Sequence, residues 1–292
     1  MMTRDFDRFI ARLDADPSLF EPDQLRKRME VLDALDAHFG DPDAETSLVA
    51  TDRTHILARA NLLRRNLESA NAVILDSIRD QIQQSVPQSQ LLHWIERCGN
   101  NEDSPHPGLG YDYLDELISG VLRAREPDIA PLPPPPEMVY YQPTPVRHIL
   151  HFIRLSALSR SDTLIDLGSG LGHVPILASI LTGAQCIGIE AEGAYVASAR
   201  ECAHSLRINR VTFIHQNAIE TNLAGGTVFY LYTPFSGGTL KTVMQNLKKE
   251  SKEQIITICT LGPCSLTVAT EPWLTSNTVP DPDQITIFRS NP

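Results

Sequence analysis

Residues 163–172 read Thr-Leu-Ile-Asp-Leu-Gly-Ser-Gly-Leu-Gly. An apolar run carries a carboxylate, Asp166, and then breaks into glycines at alternate positions, Gly168, Gly170 and Gly172. Backbone without a Cβ at such points takes positive φ and lets a ligand approach the main chain closely. The carboxylate two residues ahead adds negative charge to that approach. A second acid, Glu190, closes the next apolar run, Cys186-Ile187-Gly188-Ile189-Glu190. Its separation from the glycines is about that at which a strand–helix–strand unit delivers a carboxylate to ribose hydroxyls. The elements required are a buried strand, a tight turn, a helix and a second strand.

Two classes of adenosine ligand use such a turn, and spacing separates them. Dinucleotide sites favour G-x-G-x-x-G, whose third glycine would fall at position 173, which is His173. A pyrophosphate also seeks amide donors at a helix start and is repelled by an added carboxylate such as Asp166. S-adenosylmethionine has no phosphate and brings a cationic ammonium and sulfonium, so the same acid becomes favourable. A glycine turn with no ligand is the remaining alternative. The pattern Asp166-x-Gly168-x-Gly170-x-Gly172 resembles the first motif of the class I S-adenosylmethionine-dependent methyltransferases. The resemblance implies an α/β fold, a Rossmann-like doubly wound sheet of seven mainly parallel strands, with S-adenosyl-L-methionine as cofactor. It assigns Asp166, Gly168, Ser169, Gly170 and Gly172 to the methionine part and Glu190 to the ribose.

The rest of the C-terminal half follows the same plan. Residues 192–208 carry Ala, Val and Leu at helical spacing, and Val211-Thr212-Phe213-Ile214-His215 reads as a strand. It leads into Gln216-Asn217-Ala218, where the family usually has Asp-Ala at the adenine; Asn217 keeps an acceptor and loses the charge. Residues 227–232 form an apolar run suited to a central parallel strand, ending in Tyr232-Thr233-Pro234-Phe235. That end resembles in part the family's fourth motif, which in many N-methyltransferases reads [D/N/S]-P-P-[Y/F/W]. Tyr232, Thr233 and Phe235 are therefore expected on the methyl-accepting side, with Tyr232 also near the cofactor. Residues 254–260 and 284–288 supply the last expected strands.

Upstream, Val139-Tyr140-Tyr141-Gln142-Pro143-Thr144-Pro145 precedes an amphipathic helix over 146–158. Its prolines stiffen the segment. With the glycine turn, it resembles the non-SET lysine-methyltransferase branch, which includes histone and ATP-synthase c-subunit enzymes. That likeness implies Tyr140 or Tyr141 as a lid and the Thr144 hydroxyl on the cofactor carboxylate; an N-cap role for Thr144 is the plain alternative. A protein lysine is then the leading acceptor. A small-molecule N- or O-methyltransferase and a non-catalytic cofactor-binding module are the alternatives.

Composition frames these readings. Of 292 residues, the first 130 hold 14 Lys+Arg against 24 Asp+Glu, a net of −10, and the remainder holds 11 against 12, a net of −1. So acidic a half disfavours phosphate backbones, making nucleic acid an unexpected partner, and favours a basic one. The first half reads as helical. Phe6, Ile10 and Leu13 form one stripe and Leu25, Met29, Leu32 and Leu35 another, with Pro22 at a helix start. Ile56, Leu57, Leu62, Leu63, Leu67, Val73, Ile74, Ile78 and Ile82 trace a long helix through which the chain could form a homodimer. The expected organisation is a helical domain over 1–130, a proline-rich linker over 131–137 and a catalytic domain over 138–292. The N-terminus lacks an apolar signal core, no span suits a membrane, and five scattered cysteines suit a reducing cytoplasm. No histidine pairs with a cysteine as in a zinc site. His173 reads as structural, and His148 with His151 as a solvated helix face.

Overall fold

The computed structural model describes residues 2–39, 50–85, 89–99, 110–127 and 137–291. The expected proline linker at 131–137 lies outside the described residues except for Glu137. The chain divides into two compact units, one drawn from Met1–Asp80 and Ser89–Asn101, the other from Gln81–Gln88 and Glu102–Pro292.

The first unit is helical: α1 (Met2–Asp14), a short 3-10 turn (Pro17–Phe20), α2 (Leu25–Phe39), most of α3 (Ala50–Gln83) and α4 (Ser89–Gly99). Its core gathers Ile10, Leu13, Leu19, Leu35, Leu63 and Leu67. Each such side chain, fully buried, contributes about 1.5–3 kcal/mol. Arg28 is buried in this unit, its Nε donating to Asn71 Oδ1 at 2.6 Å and its Nη1 to the carbonyls of Leu19 and Glu21 at 2.8 and 2.9 Å. Two sequence expectations are corrected. Pro22 does not start α2; Asp16 organises the preceding turn by accepting the Ser18 N–H at 3.1 Å. Leu62 and Val73 point to solvent, because the buried stripe of α3 runs through Ala60, Leu63, Leu67 and Ile78.

The second unit is a three-layer α/β structure. Two helices, α5 (Tyr113–Leu122) and α6 (Val146–Ser156), precede the sheet. Its strands are β1 (Thr163–Leu167), β2 (Gln185–Glu190), β3 (Val211–His215), β4 (Val228–Tyr232), β5 (Thr257–Leu261), β6 (Leu274–Thr275) and β7 (Thr286–Ser290). The helices between them are α7 (His173–Thr182), α8 (Gly193–Ser205), α9 (Gly237–Glu250) and α10 (Cys264–Val268). The order is β3-β2-β1-β4-β5-β7-β6, parallel from β3 to β5, with β7 antiparallel to both β5 and β6. This is the expected seven-stranded, mainly parallel, doubly wound sheet. The dinucleotide order continues 3-2-1-4-5 with a sixth strand; in this sheet the antiparallel β7 takes the place beside β5. The strand β6, two residues long, carried no sequence signal.

Residues 113–122, which the sequence reading groups with the helical half, belong to this second unit. Asp115 explains why. Its carboxylate accepts the Asp112 N–H at 2.8 Å, completing a capping box on α5, and the Val146 N–H at 2.8 Å, closing the start of α6. Half of α5, including Leu117, Ile118 and Val121, is buried. Thr144 is therefore not the cap of α6; Asp115 supplies that acceptor from a distant segment.

Candidate functional site

β1 and β4 are neighbours whose following loops leave the sheet toward opposite sides, and the crevice at such a switch point is where open α/β sheets bind ligands. In register, Asp166 of β1 stands between Gly188 of β2 and Tyr230 of β4. A cavity of about 1370 Å³ opens above these strand ends. Of the residues expected in the site, Tyr141, Thr144, Asp166, Gly168, Ser169, Glu190, Asn217, Ala218, Tyr232, Thr233 and Phe235 all line it. Gly170 and Gly172 lie behind this wall.

The glycine turn owes its sequence to packing. Gly168, Gly170 and Gly172 have φ of +86°, +49° and +80°. A Cβ on Gly170 would fall inside the Tyr141 ring, and one on Gly172 inside the Phe213 ring. The space over Gly170 thus belongs to Tyr141, not to a ligand directly. Glu190 braces the same turn: Oε2 accepts the Gly170 N–H and Oε1 the Glu192 N–H, both at 2.8 Å. A carboxylate offers about four acceptor positions, so two such bonds leave capacity for hydroxyls.

Asp166 is 3% exposed. Burial, with the nearby Glu190 charge second, raises its carboxyl well above the usual aspartate value. Beside it, the Ser169 hydroxyl is buried with no hydrogen-bond partner among the described residues. The Tyr230 hydroxyl, also buried, meets the Thr144 side chain. Burial holds His173 at about 4, so its imidazole is neutral near pH 7. Its Nδ1 lies 3.4 Å from the Tyr141 hydroxyl, and the Tyr141 ring packs at 4.8 Å on Tyr195. Tyr141 is thereby built into the floor, whereas Tyr140, 63% exposed, stands at the rim. Across β2, Asn217 Oδ1 receives the Ile219 N–H at 3.1 Å, turning the chain so that Ala218 is buried against the cavity.

The β4 side differs. Thr233 has φ +38°, a left-handed conformation rare for a β-branched residue. Its Oγ1 donates to the Leu261 carbonyl at 3.0 Å and accepts the Cys264 N–H at 3.2 Å, which commits the hydroxyl to the end of β5. Phe235 is buried in the main core and bridges to Met138. Tyr232 is half-buried, with its hydroxyl enclosed and no partner among the described residues. Glu137 ties the upstream segment to this loop. Its carboxylate accepts the Gly238 and Thr239 N–H groups of α9 at 2.9 and 2.8 Å and sits below the usual glutamate value because of those bonds. That cap had no sequence signal, since 101 residues separate Glu137 from Gly238. His148 corrects another expectation: it is buried on α6 and pushed to about 4 by desolvation, so it is not part of a solvated face.

Electrostatically the cavity is one-sided. Glu126, Asp166, Glu190, Glu192 and Asp283 line it, and no lysine or arginine does among the described residues.

No protein-family model matches the chain, and no curated protein matches its sequence. Among solved structures, an RNA methyltransferase from Salinibacter ruber in complex with S-adenosyl-L-homocysteine is 25% identical, with a TM-score of 0.41, covering 51% of this chain and 92% of its own. The Escherichia coli protein yhhF is 17% identical, TM-score 0.43, covering 55% and 91%. The precorrin-6y C5,15-methyltransferase of Geobacter metallireducens is 17% identical, TM-score 0.41, covering 53% and 92%.

Proposed function

We propose that the protein is an S-adenosylmethionine-dependent methyltransferase acting on an amine. The observation that carries this reading is a cavity lined by five carboxylates and no lysine or arginine among the described residues, built around an Asp-x-Gly-x-Gly-x-Gly turn at the switch point of the sheet. A pyrophosphate would meet five carboxylates and no cation there; a sulfonium and an ammonium meet complementary charge. The buried Ser169 hydroxyl, without a partner among the described residues, fits such a ligand's polar end.

In this reading Asp166 takes the cofactor ammonium, and the Ser169 and Thr144 hydroxyls take its carboxylate. Glu190 holds the ribose while bracing Gly170, and Asn217 with Ala218 borders the adenine. Tyr232 faces the acceptor, and Thr233 and Phe235 give that wall its shape. When bound, the cofactor supplies a methyl group on a sulfonium and leaves as a thioether, the electrons of the broken carbon–sulfur bond remaining on sulfur. The chain's contribution is alignment and exclusion of water, for which oriented neighbours lower barriers by up to about 7–11 kcal/mol. His173, held neutral, adds no competing cation.

The acidic wall favours an amine over acceptors that carry phosphates, which need neutralising cations at the site. A protein lysine and a small diffusible amine both satisfy this chemistry. The test is incubation with methyl-labelled cofactor and cell extract, with the label fractionated into protein, nucleic acid and small molecules. Label on amine nitrogen in the protein or small-molecule fraction is expected. Label confined to nucleic acid, or no transfer at all, would overturn the reading.

A further inference from the structure

Beyond the turn, Asp283 is an acid in the cavity that the cofactor reading and the fold leave unused. Asp283 lies in the loop between β6 and β7 and is exposed at the cavity wall. The loop is fixed in place: the Pro282 carbonyl accepts the Gly262 N–H at 2.8 Å just past β5, and the Asp283 N–H donates to Asp281 Oδ1 at 2.9 Å. Asp283 is therefore presented by a pinned turn beside the ends of β4 and β5. Tyr232 lines the same cavity, its hydroxyl enclosed with no partner among the described residues, and the Asp283 charge acts on it. Burying an unpartnered hydroxyl costs about 1–3 kcal/mol, which a fold retains readily only where another group meets it.

We propose that Asp283 and Tyr232 form the recognition site for the acceptor, and that it takes a cationic primary or secondary amine. The inference rests on the methyltransferase reading and names the substrate class of that site. The amine arrives as an ammonium, its charge met by Asp283 at the rim and one N–H by the Tyr232 oxygen; the Tyr232 ring offers a face on which the cation also rests. The ammonium loses its proton to water at the open mouth, and the freed lone pair is then directed inward past Tyr230. Among the described residues no lysine or arginine stands at this end to attract a carboxylate or phosphate.

The test uses analogues of S-adenosylhomocysteine in which nitrogen replaces sulfur and carries a short alkyl arm ending in an amine, a hydroxyl or a methyl. Affinities are measured by calorimetry on the full chain, together with S-adenosylhomocysteine itself. In the wild type the amine arm should bind about tenfold or more tightly than the methyl arm, the scale of one charge-assisted hydrogen bond. Asp283→Asn should erase that preference and leave S-adenosylhomocysteine affinity unchanged. Tyr232→Phe should reduce the preference in part. An amine preference that survives Asp283→Asn, or a wild type that favours the methyl or hydroxyl arm, would overturn the assignment while the cofactor reading stands. A wild type that ignores S-adenosylhomocysteine would remove the reading beneath it instead.

Discussion

On the β1 side of the cavity the backbone closes on itself. Glu190 accepts two amides, Tyr141 fills the space above Gly170, and Phe213 abuts Gly172. On the β4 side, the Tyr232 hydroxyl is enclosed without a partner among the described residues, and Thr233 is held in a left-handed conformation by its bonds to Leu261 and Cys264. The first wall is braced by Glu190 and by packed rings, though the Ser169 hydroxyl has no partner among the described residues. The second holds polar groups at a cost to stability, as sites that must meet a variable partner do. The two walls thus rest on different physics within a few residues of sheet.

The contrast can be broken most severely at the turn. Gly170→Val forces a branched side chain into a left-handed position and into the Tyr141 ring, costing about 1–3 kcal/mol for each. A denaturant midpoint lowered by that sum, with loss of S-adenosylhomocysteine binding by calorimetry, is expected; an unchanged midpoint would show that Tyr141 yields freely.

Asp166→Asn is the next largest. Removing the charge facing the cofactor ammonium should weaken binding about tenfold to a hundredfold. The free protein should respond in the opposite sense. Because burial raises the Asp166 carboxyl in the folded state, the wild type loses stability as the pH rises from the usual value of 3.8 toward the raised one. The variant should lack that decline. A steeper decline in the variant would contradict the burial argument.

A smaller effect sharpens the account of the second wall. Tyr232→Phe removes an enclosed hydroxyl that has no partner among the described residues, so the fold should lose no stability while methyl transfer slows. Loss of stability would mean that the hydroxyl is already satisfied.

The mildest test concerns the seam between the walls. Glu137 is held below its usual value of 4.5 by the amides of α9, so its stabilisation is present above pH 4.5 and disappears as the pH falls through the lowered value. Glu137→Gln should flatten that part of the acid limb in a urea-midpoint series. An identical limb in both proteins would remove Glu137 from the account.

How much of this was legible in the sequence depended on range. The turn at Asp166–Gly172, Glu190 and the strands β1 to β5 announce themselves because apolar runs and glycines act within a few residues. Of Tyr140 and Tyr141, either of which was expected as a lid, Tyr141 packs over Gly170, and only the folded turn shows that a glycine makes room for its ring. Asp115 capping α6, Glu137 capping α9 and Asp283 at the rim were invisible for a shared reason: each acts on backbone or cavity far from it in the chain. His148 misled because spacing on a helix gives a face but not what covers it. The strand β6, at two residues, is too short to carry any alternation.

The most direct measurement is calorimetric titration of the purified chain with S-adenosylhomocysteine and, separately, with NAD. The acidic, glycine-lined crevice predicts micromolar binding of the thioether nucleoside and none of the dinucleotide. Tight binding of NAD by a protein that ignores S-adenosylhomocysteine would contradict the central claim.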